Sequence, residues 1–322
     1  MKKLIFSMTF VFFSTLNCLE RTTEKLNFSL SAKECIVEVV NECVGNIHVS
    51  THNENTILID ILKESSSKEC LQNLQVKIDK TDQKILISAI NNNDKKEKTW
   101  FEWFSFTSYT VNGKYSVNGK SDRIDLKIKI PKNCALNIDL NNGNTELENI
   151  EKAISIKSNL GSITVKNAGS SVDIKSNNGT LNLDTIKGHL NIKNNLGSVN
   201  IKDINEGLVA KVTNGNVDIR NAKESLNVYV TNGSINLHQA SVQDSGQIDF
   251  KTTTGSINLR LSSAQNATIN AKTTIGSILI NNKKVSSFKI GNSYRGSLGP
   301  GIQSKAKIFL KTITGSIEVN TL

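Results

Sequence analysis

The chain has 322 residues and a formal net charge of +10, from 39 Lys and Arg against 29 Asp and Glu. It has two prolines, few aromatic residues and abundant Asn, Ser, Thr, Ile and Val, with no long helical period after the N-terminus, which favours an all-β protein over a helical one. The basic balance suits an acidic polymer, a nucleic acid or an anionic membrane face, and it bears on association rather than on fold.

Residues 1–18 have the pattern of an export signal. A positive start, Met1–Lys3, precedes an apolar run, Leu4–Leu16, that is too short to span a bilayer. Two outcomes are open: Cys18 carries a lipid after a loose lipobox, or a signal peptidase cuts nearby and releases the chain. In both cases we expect an exported protein of the cell envelope, in the periplasm or on the cell surface, with membrane attachment by lipid only. Export argues against nucleic acid as a partner.

Four further cysteines permit two disulfides in an exported chain, with three connectivities. We expect Cys35–Cys43, across a short connection, and Cys70–Cys134; buried thiols are the alternative. The spacing of cysteines and histidines matches no zinc motif, so we expect no metal and no cofactor.

Residues 19–130 have the pattern of an irregular β-rich region. Val44–Val49 looks like a degenerate first copy of a repeat that becomes regular later, and residues 75–78 and 84–88 flank a polar turn as in a hairpin. Ile124–Ile130 alternates apolar and polar residues and ends at Pro131, which has no donor for a ladder.

An aromatic insertion, residues 91–120, interrupts this region. It holds both tryptophans of the chain and two Asn-Gly pairs suited to tight turns. One interpretation is a strand or lid that packs over the end of the repeats, and the other is an exposed patch that binds a partner, a glycan or a membrane surface. Its candidate binding residues are Trp100, Phe101, Trp103, Phe104, Phe106 and Tyr109.

Residues 131–322 carry a repeat anchored on glycine, with turns such as NLGSITV and TNGSINL. A fixed period of this length is typical of repeat architectures. Six anchors are 18 residues apart and four follow at slightly longer steps: Gly143, Gly161, Gly179, Gly197, Gly215, Gly233, Gly255, Gly276, Gly296 and Gly315.

Apolar residues fall at fixed offsets from each anchor, at −7, −5, +2 and +4, with a looser site at +7. This alternation predicts two short strands per repeat. An antiparallel meander fits nearly as well, but it needs about twenty strands in one sheet, and open sheets rarely exceed roughly ten. We therefore predict a parallel β-solenoid, in which ten stacked coils make a rod of about 50 Å.

Position −4 from the anchor is lysine in most repeats, with Tyr229 breaking the run. In a solenoid these side chains form a column along one edge. The column either keeps the sheet soluble or serves as a track for an anionic polymer such as a wall or surface polysaccharide. Its members are Lys157, Lys175, Lys193, Lys211, Lys251, Lys272 and Lys311.

The strand IDLKIKIP, the following stretch NIDLNNGNTELENI and the serial glycine-anchored turns resemble the bacterial "putative adhesin" domain family, over roughly Leu26 to Leu322. This resemblance implies an exported, non-enzymatic, right-handed β-helix-like protein of the cell envelope, sometimes linked to attachment or to sensing of envelope stress. The aromatic insertion departs from the family pattern.

We expect a non-enzymatic envelope protein, adhesin-like or a scaffold, that binds a surface polymer or a protein through the solenoid face or the aromatic insertion. The alternatives are an envelope-stress sensor component and a β-helix enzyme acting on acidic polysaccharide. Such an enzyme needs clustered carboxylates. The outward acids instead fall in different columns or distant coils, and the four histidines are scattered: Asp173, Asp184, Asp218, Asp249 and Glu318, with His48, His52, His189 and His238.

Overall fold

The computed structural model describes residues 19–30, 35–81, 83–92, 122–240, 246–262, 265–281, 283–286, 292–298 and 306–321. These residues form 27 strands, numbered in chain order, and one short helix, α1 (Lys68–Asn73), whose first turn is capped by Ser67. Within the described ranges, no helix has both the length and the apolar character needed to cross a bilayer.

The strands stack in two ladders, and each coil of the chain adds one strand to each. In the first ladder the central strands are parallel and the outermost strand at each end is antiparallel. In spatial order it runs β5 (Leu74–Lys80), β6 (Lys84–Asn91), β2 (Cys35–Val44), β8 (Cys134–Asn142), β10 (Ile154–Leu160), β12 (Val172–Asn178), β14 (Leu190–Leu196), β16 (Leu208–Asn214), β18 (Leu226–Asn232), β20 (Gln247–Thr254), β26 (Lys307–Thr314), β22 (Ala267–Ile275) and β25 (Asn292–Leu298).

The second ladder follows the same order of coils and also ends in antiparallel strands. It runs β1 (Glu20–Ser29), β4 (Thr56–Ser65), β7 (Arg123–Pro131), β3 (Ile47–His52), β9 (Thr145–Glu148), β11 (Ile163–Ala168), β13 (Leu181–Ile186), β15 (Val199–Ile204), β17 (Val217–Ala222), β19 (Ile235–Ala240), β21 (Ile257–Leu261), β27 (Ile317–Thr321), β23 (Ile278–Ile280) and β24 (Lys283–Ser286).

Apolar side chains of both ladders meet in one continuous core. Ile156 pairs with Ile174 in the next coil, Val165 pairs with Leu183, and all four are buried. Each such side chain contributes about 1.5–3 kcal/mol when it leaves water. The parallel pairing of successive coils confirms the predicted solenoid and rules out the meander.

The anchor glycines permit the coils to approach each other at one corner. A Cβ atom added at Gly161 would lie 1.8 Å from the carbonyl oxygen of Gly143, and Gly161 has φ of +128°. Both the space and the backbone conformation therefore require glycine. Ten glycines stack in this way: Gly45, Gly143, Gly161, Gly179, Gly197, Gly215, Gly233, Gly255, Gly315 and Gly276.

The opposite corner uses a second left-handed residue, at position +6, which the sequence pattern did not single out. Asn167 has φ of 57° and Thr185 has φ of 59°, and a β-branched residue in this region is a genuine outlier. The chain turns there and the strand pairing skips this residue, since Lys166 pairs with Asp184 and Ala168 with Ile186. The other members are Asn149, Asp203, Asn221 and Gln239.

Position −3 also points inward, although it is often polar. Thr252 donates a hydrogen bond to the carbonyl oxygen of Gly233 at 2.9 Å, and Thr312 donates to that of Gly255 at 3.0 Å. These buried hydroxyls satisfy carbonyl groups at the glycine corner, where an unpaired acceptor would cost about 1–3 kcal/mol.

At the N-terminal end, the coil of Gly45 belongs to the same stack, so the degenerate first copy predicted at residues 44–49 is a true coil. Strands β6 and β7 form one more coil outside it. Along the sequence, the aromatic insertion falls between the end of β6 and the start of β7. The described chain stops at Asn92 and resumes at Asp122, at the corner where other coils place their glycine.

At the C-terminal end, the coils are not in sequence order. The last coil of the chain, β26 and β27, lies between the coil of β20–β21 and the earlier coil of β22–β23. Gly315 therefore stacks on Gly255, and Gly276 stacks on Gly315. The prediction that Gly296 is an anchor is wrong, because it lies in β25, an antiparallel strand on the outer side of β22.

One disulfide joins Cys35 and Cys134, the first residues of neighbouring strands β2 and β8, with Cα atoms 4.6 Å apart. The predicted pairs, Cys35–Cys43 and Cys70–Cys134, are wrong. Cys35 and Cys43 lie near opposite ends of one extended strand, well beyond the ~7 Å that a disulfide spans. Cys43 is buried in the core and Cys70 lies on α1, and both are thiols.

Candidate functional site

The lysines at position −4 form a column on the outer face of the first ladder. Register pairs Lys157 with Lys175, Lys175 with Lys193, and Lys193 with Lys211. Neighbouring strands lie about 4.8 Å apart, so these four cations occupy consecutive rungs. Beyond them the column continues through Tyr229, Lys251, Lys311 and Lys272, with the last two lysines in the reverse of their sequence order.

Most lysines of the column are exposed to solvent. Lys157, Lys193 and Lys211 are exposed, and none of the three forms an ion pair within the described ranges. Two unit charges ~5 Å apart repel by about 1 kcal/mol in water, and salt screens this further. This repulsion is small compared with the free energy that the buried core contributes to folding. The neighbouring lysines therefore create a positive potential along this face.

Tyr229 divides the column into two parts. Lys251 lies over the Tyr229 ring, 5.0 Å from its centre, and its Nζ is 2.7 Å from Asp249 Oδ2. The hydrogen bond with Asp249 raises the pKa of Lys251 above its usual value, against a smaller lowering by burial. This lysine stays charged but is partly neutralised, and the four lysines on the N-terminal side of Tyr229 form the longest uninterrupted run in the column.

The column ends at an acid. Lys157 is in register with Asp139 on β8, beside a shallow depression that Glu38, Asn137 and Ser155 also line. The buried Glu38 carboxylate is paired with Lys84. The positive column is thus bounded on the N-terminal side by acidic groups.

The outer face of the second ladder carries a different column, at position +5. Its N-terminal half alternates in sign: Lys166 Nζ lies 3.0 Å from Glu148 Oε1, and Lys202 Nζ lies 3.2 Å from Asp184 Oδ2. The hydrogen bonds with Glu148 and Asp184 raise the pKa of the respective lysines. Beside this column, the hydrogen bond from Lys166 lowers the pKa of Glu146.

Amide side chains hydrogen-bond from coil to coil in the neighbouring columns. Asn177 Nδ2 donates to Asn159 Oδ1 at 3.0 Å, and Asn200 Nδ2 donates to Asn182 Oδ1 at 2.9 Å. These amide ladders of like residues link successive coils along the outer faces, beside the charged columns.

Within the described residues, the carboxylates singled out in the sequence do not assemble a site, whereas His48 Nδ1 lies 3.5 Å from Glu146 Oε2. Asp173 and Asp249 share a column of the first ladder but lie in distant coils, and Asp184, Asp218 and Glu318 lie on the second ladder. Within the described residues, no three His, Cys, Asp or Glu side chains are grouped closely enough to hold a metal ion.

Two groups of predicted site residues lie outside the described residues. They are Cys18 and the aromatic residues of the insertion, Trp100, Phe101, Trp103, Phe104, Phe106 and Tyr109. Their proposed roles in lipidation and binding stay predictions.

Sequence reasoning missed one set of basic residues, in the C-terminal half of the +5 column. Arg220, His238 and Arg260 occupy consecutive rungs. The run is visible as a recurrence of basic residues at +5, but the alternating signs earlier in the column hide it.

The stacked parallel coils and charged outer columns define a β-solenoid repeat protein. The chain belongs to the Toastrack DUF4097 family, whose sequence profile matches residues 46–320. This confirms the family resemblance drawn from the repeats. No curated protein matches the chain.

Several solved structures are similar to the chain at low identity. A "putative cell adhesion protein" from Clostridium sporogenes is 15% identical, with 94% of this chain and 100% of that chain covered and a TM-score of 0.26. A "putative adhesin" from Bacteroides fragilis is 12% identical, with 92% and 97% covered and a TM-score of 0.32. One from Parabacteroides distasonis is 10% identical, with 93% and 97% covered and a TM-score of 0.34. Similarity at this level carries no argument about function.

Proposed function

We propose that the chain is an exported, non-enzymatic protein of the cell envelope, adhesin-like or a scaffold, that binds an anionic surface polymer along its lysine column. The observation that supports this is the register of Lys157, Lys175, Lys193 and Lys211, which places four lysines on consecutive rungs of one rigid face.

A linear polyanion fits this surface better than a small anion does. The column from Lys157 to Lys272 spans seven rung intervals, or about 34 Å. The depressions beside the N-terminal end of this face are shallow, which suits a chain lying along the surface rather than a buried ligand. Carboxylates spaced along a polysaccharide would each meet a lysine and reduce the repulsion between neighbouring cations.

The test is binding of polygalacturonate, with neutral dextran as the negative ligand. We call Lys157→Gln combined with Lys175→Gln, Lys193→Gln and Lys211→Gln the column variant. We expect it to bind polygalacturonate at least about tenfold more weakly than the unaltered chain, because four cooperating charge contacts are lost.

A control variant removes the same charge elsewhere: Lys127→Gln, Lys129→Gln, Lys187→Gln and Lys223→Gln, all at exposed positions outside the column. It should retain affinity within about twofold. Equal weakening of both variants would reduce the effect to net charge and contradict the proposal. Shortening of the polymer during incubation would instead favour the enzyme alternative.

A further inference from the structure

The basic triplet Arg220, His238 and Arg260 interrupts the charge pattern of its own column. On the N-terminal side, each lysine of the column lies within 3.2 Å of an acid: Lys166 beside Glu148 and Lys202 beside Asp184. From Arg220 onward three basic residues follow on consecutive rungs, since Arg220 pairs with His238 and His238 with Arg260.

Two acids on this face each accept a hydrogen bond from a neighbouring amide. Asp218 Oδ1 accepts a hydrogen bond from Asn236 Nδ2 at 2.7 Å, and Glu318 Oε1 accepts one from Asn320 Nδ2 at 2.7 Å. Within the described ranges, neither Arg220 nor Arg260 forms an ion pair. Two exposed guanidinium groups therefore lie on either side of His238, and neither is held in an ion pair by a described residue.

The backbone is also irregular at this place. In the coil of β21 the left-handed corner residue is missing, because Leu261 follows Arg260 directly and points inward. The pairing with β19 consequently shifts register between His238 and Ala240. Such bulges redirect neighbouring side chains and are frequent beside functional sites.

We propose that the basic triplet binds a phosphate group. The Cα atoms of Arg220 and Arg260 are two rungs, or about 10 Å, apart, so their long side chains can close on one anion above the His238 ring. A guanidinium group donates through a planar fork that matches phosphate oxygens. Two forks and an imidazole N–H offer more donors than the two oxygens of a carboxylate can accept, which favours a tetrahedral oxyanion.

This site lies on the second ladder, whereas the lysine column lies on the first, so the two proposals are independent. Both free phosphate and a phosphate ester of a larger molecule present the same chemistry. Titration with inorganic phosphate and with glycerol phosphate separates these sources, and acetate serves as the carboxylate comparison.

The experiment is isothermal titration of the full chain. Wild type should bind inorganic phosphate or glycerol phosphate more tightly than acetate, and R220Q combined with R260Q should weaken binding by about tenfold or more. K166Q combined with K202Q removes the same charge from the same column and should change binding by less than about twofold, because those lysines are already neutralised. Thermal unfolding of each variant checks that it is folded.

Three results would overturn the proposal. They are no phosphate binding by the wild type, equal weakening in the two double variants, and acetate binding as tight as phosphate. Binding of inorganic phosphate without glycerol phosphate would support a site for free phosphate, and binding of both would support a site for phosphate esters.

Discussion

At the scale of single residues, the glycine at each repeat corner is the least replaceable position. A side chain at Gly161 would collide with the backbone of the previous coil and would also need an unfavourable φ of +128°. The collision is with a carbonyl group rather than a flexible side chain, so it cannot be relieved without separating two coils.

We therefore predict that Gly161→Ala lowers the free energy of unfolding by about 3 kcal/mol or more. Gly169→Ala is the matched control. Its new Cβ would lie 3.0 Å from the Cα and the carbonyl oxygen of Glu151, which is a tight contact rather than an overlap, and its φ is outside the left-handed range. Urea denaturation measures both. Similar losses in the two variants would show that the stacked corner is not the special constraint.

The residue scale also shows what the sequence could reveal. The inward positions at −7, −5, +2, +4 and +7 were predictable because apolar residues recur there. The left-handed position at +6 was not, although most of its members are Asn or Asp, because the same residues also fill neighbouring outward positions and only the backbone shows the common conformation. The polar residues at −3 were missed because a buried hydroxyl has the same sequence signature as an exposed one.

At the scale of elements, the disulfide fastens the first two glycine-anchored coils to each other. Cys35 and Cys134 are 99 residues apart in sequence but adjacent in the first ladder. The sequence alone favoured disulfides between cysteines that are closer together in the chain than Cys35 and Cys134. The long segment between the two cysteines, which includes the coil of β6 and β7, hides the fact that β2 and β8 are neighbours.

We predict that Cys35→Ala combined with Cys134→Ala lowers the free energy of unfolding by about 2–4 kcal/mol, because a large loop is no longer closed in the unfolded state. Cys70→Ala should have little effect, since that thiol is partly exposed on α1. Peptide mapping without reductant should recover a linked Cys35–Cys134 peptide. Recovery of a Cys35–Cys43 or Cys70–Cys134 link instead would contradict the structure.

The aromatic insertion is the element whose role rests on sequence alone. If it is a binding surface, Trp100→Ala combined with Trp103→Ala should abolish attachment to a bacterial cell surface in a pull-down, with the melting temperature unchanged. If attachment persists, the insertion serves packing rather than recognition, and the solenoid faces alone account for binding.

The order of the last coils could not be predicted, for a physical reason. Ile248, Ile308 and Ile269 occupy the same inward position in β20, β26 and β22. Coils with the same apolar offsets and the same glycine corner fit any slot in the stack. Sequence periodicity therefore predicts that the coils stack but not their order. Strands β24 and β25 pair antiparallel with β23 and β22, and they cover that coil at the end of the stack.

At the scale of the whole molecule, the chain is a rod of about 60 Å with a buried apolar interior and patterned faces. Each outer column repeats one position of the coil, so a single charge in the repeat becomes a line of charge along the rod. Seven lysines at −4 contribute much of the formal net charge of +10 and place it on one ladder. The shape and this charge line were both predictable from sequence, whereas the triplet on the second ladder was not.

The most direct test of the lysine column is the salt dependence of polygalacturonate binding. A polyanion held by several lysines releases counterions, so the logarithm of the affinity should fall steeply and linearly with the logarithm of the salt concentration. We predict a much shallower slope for the column variant, and an unchanged slope for the control variant with Lys127, Lys129, Lys187 and Lys223 replaced. A column variant whose slope equals that of the unaltered chain would contradict the account.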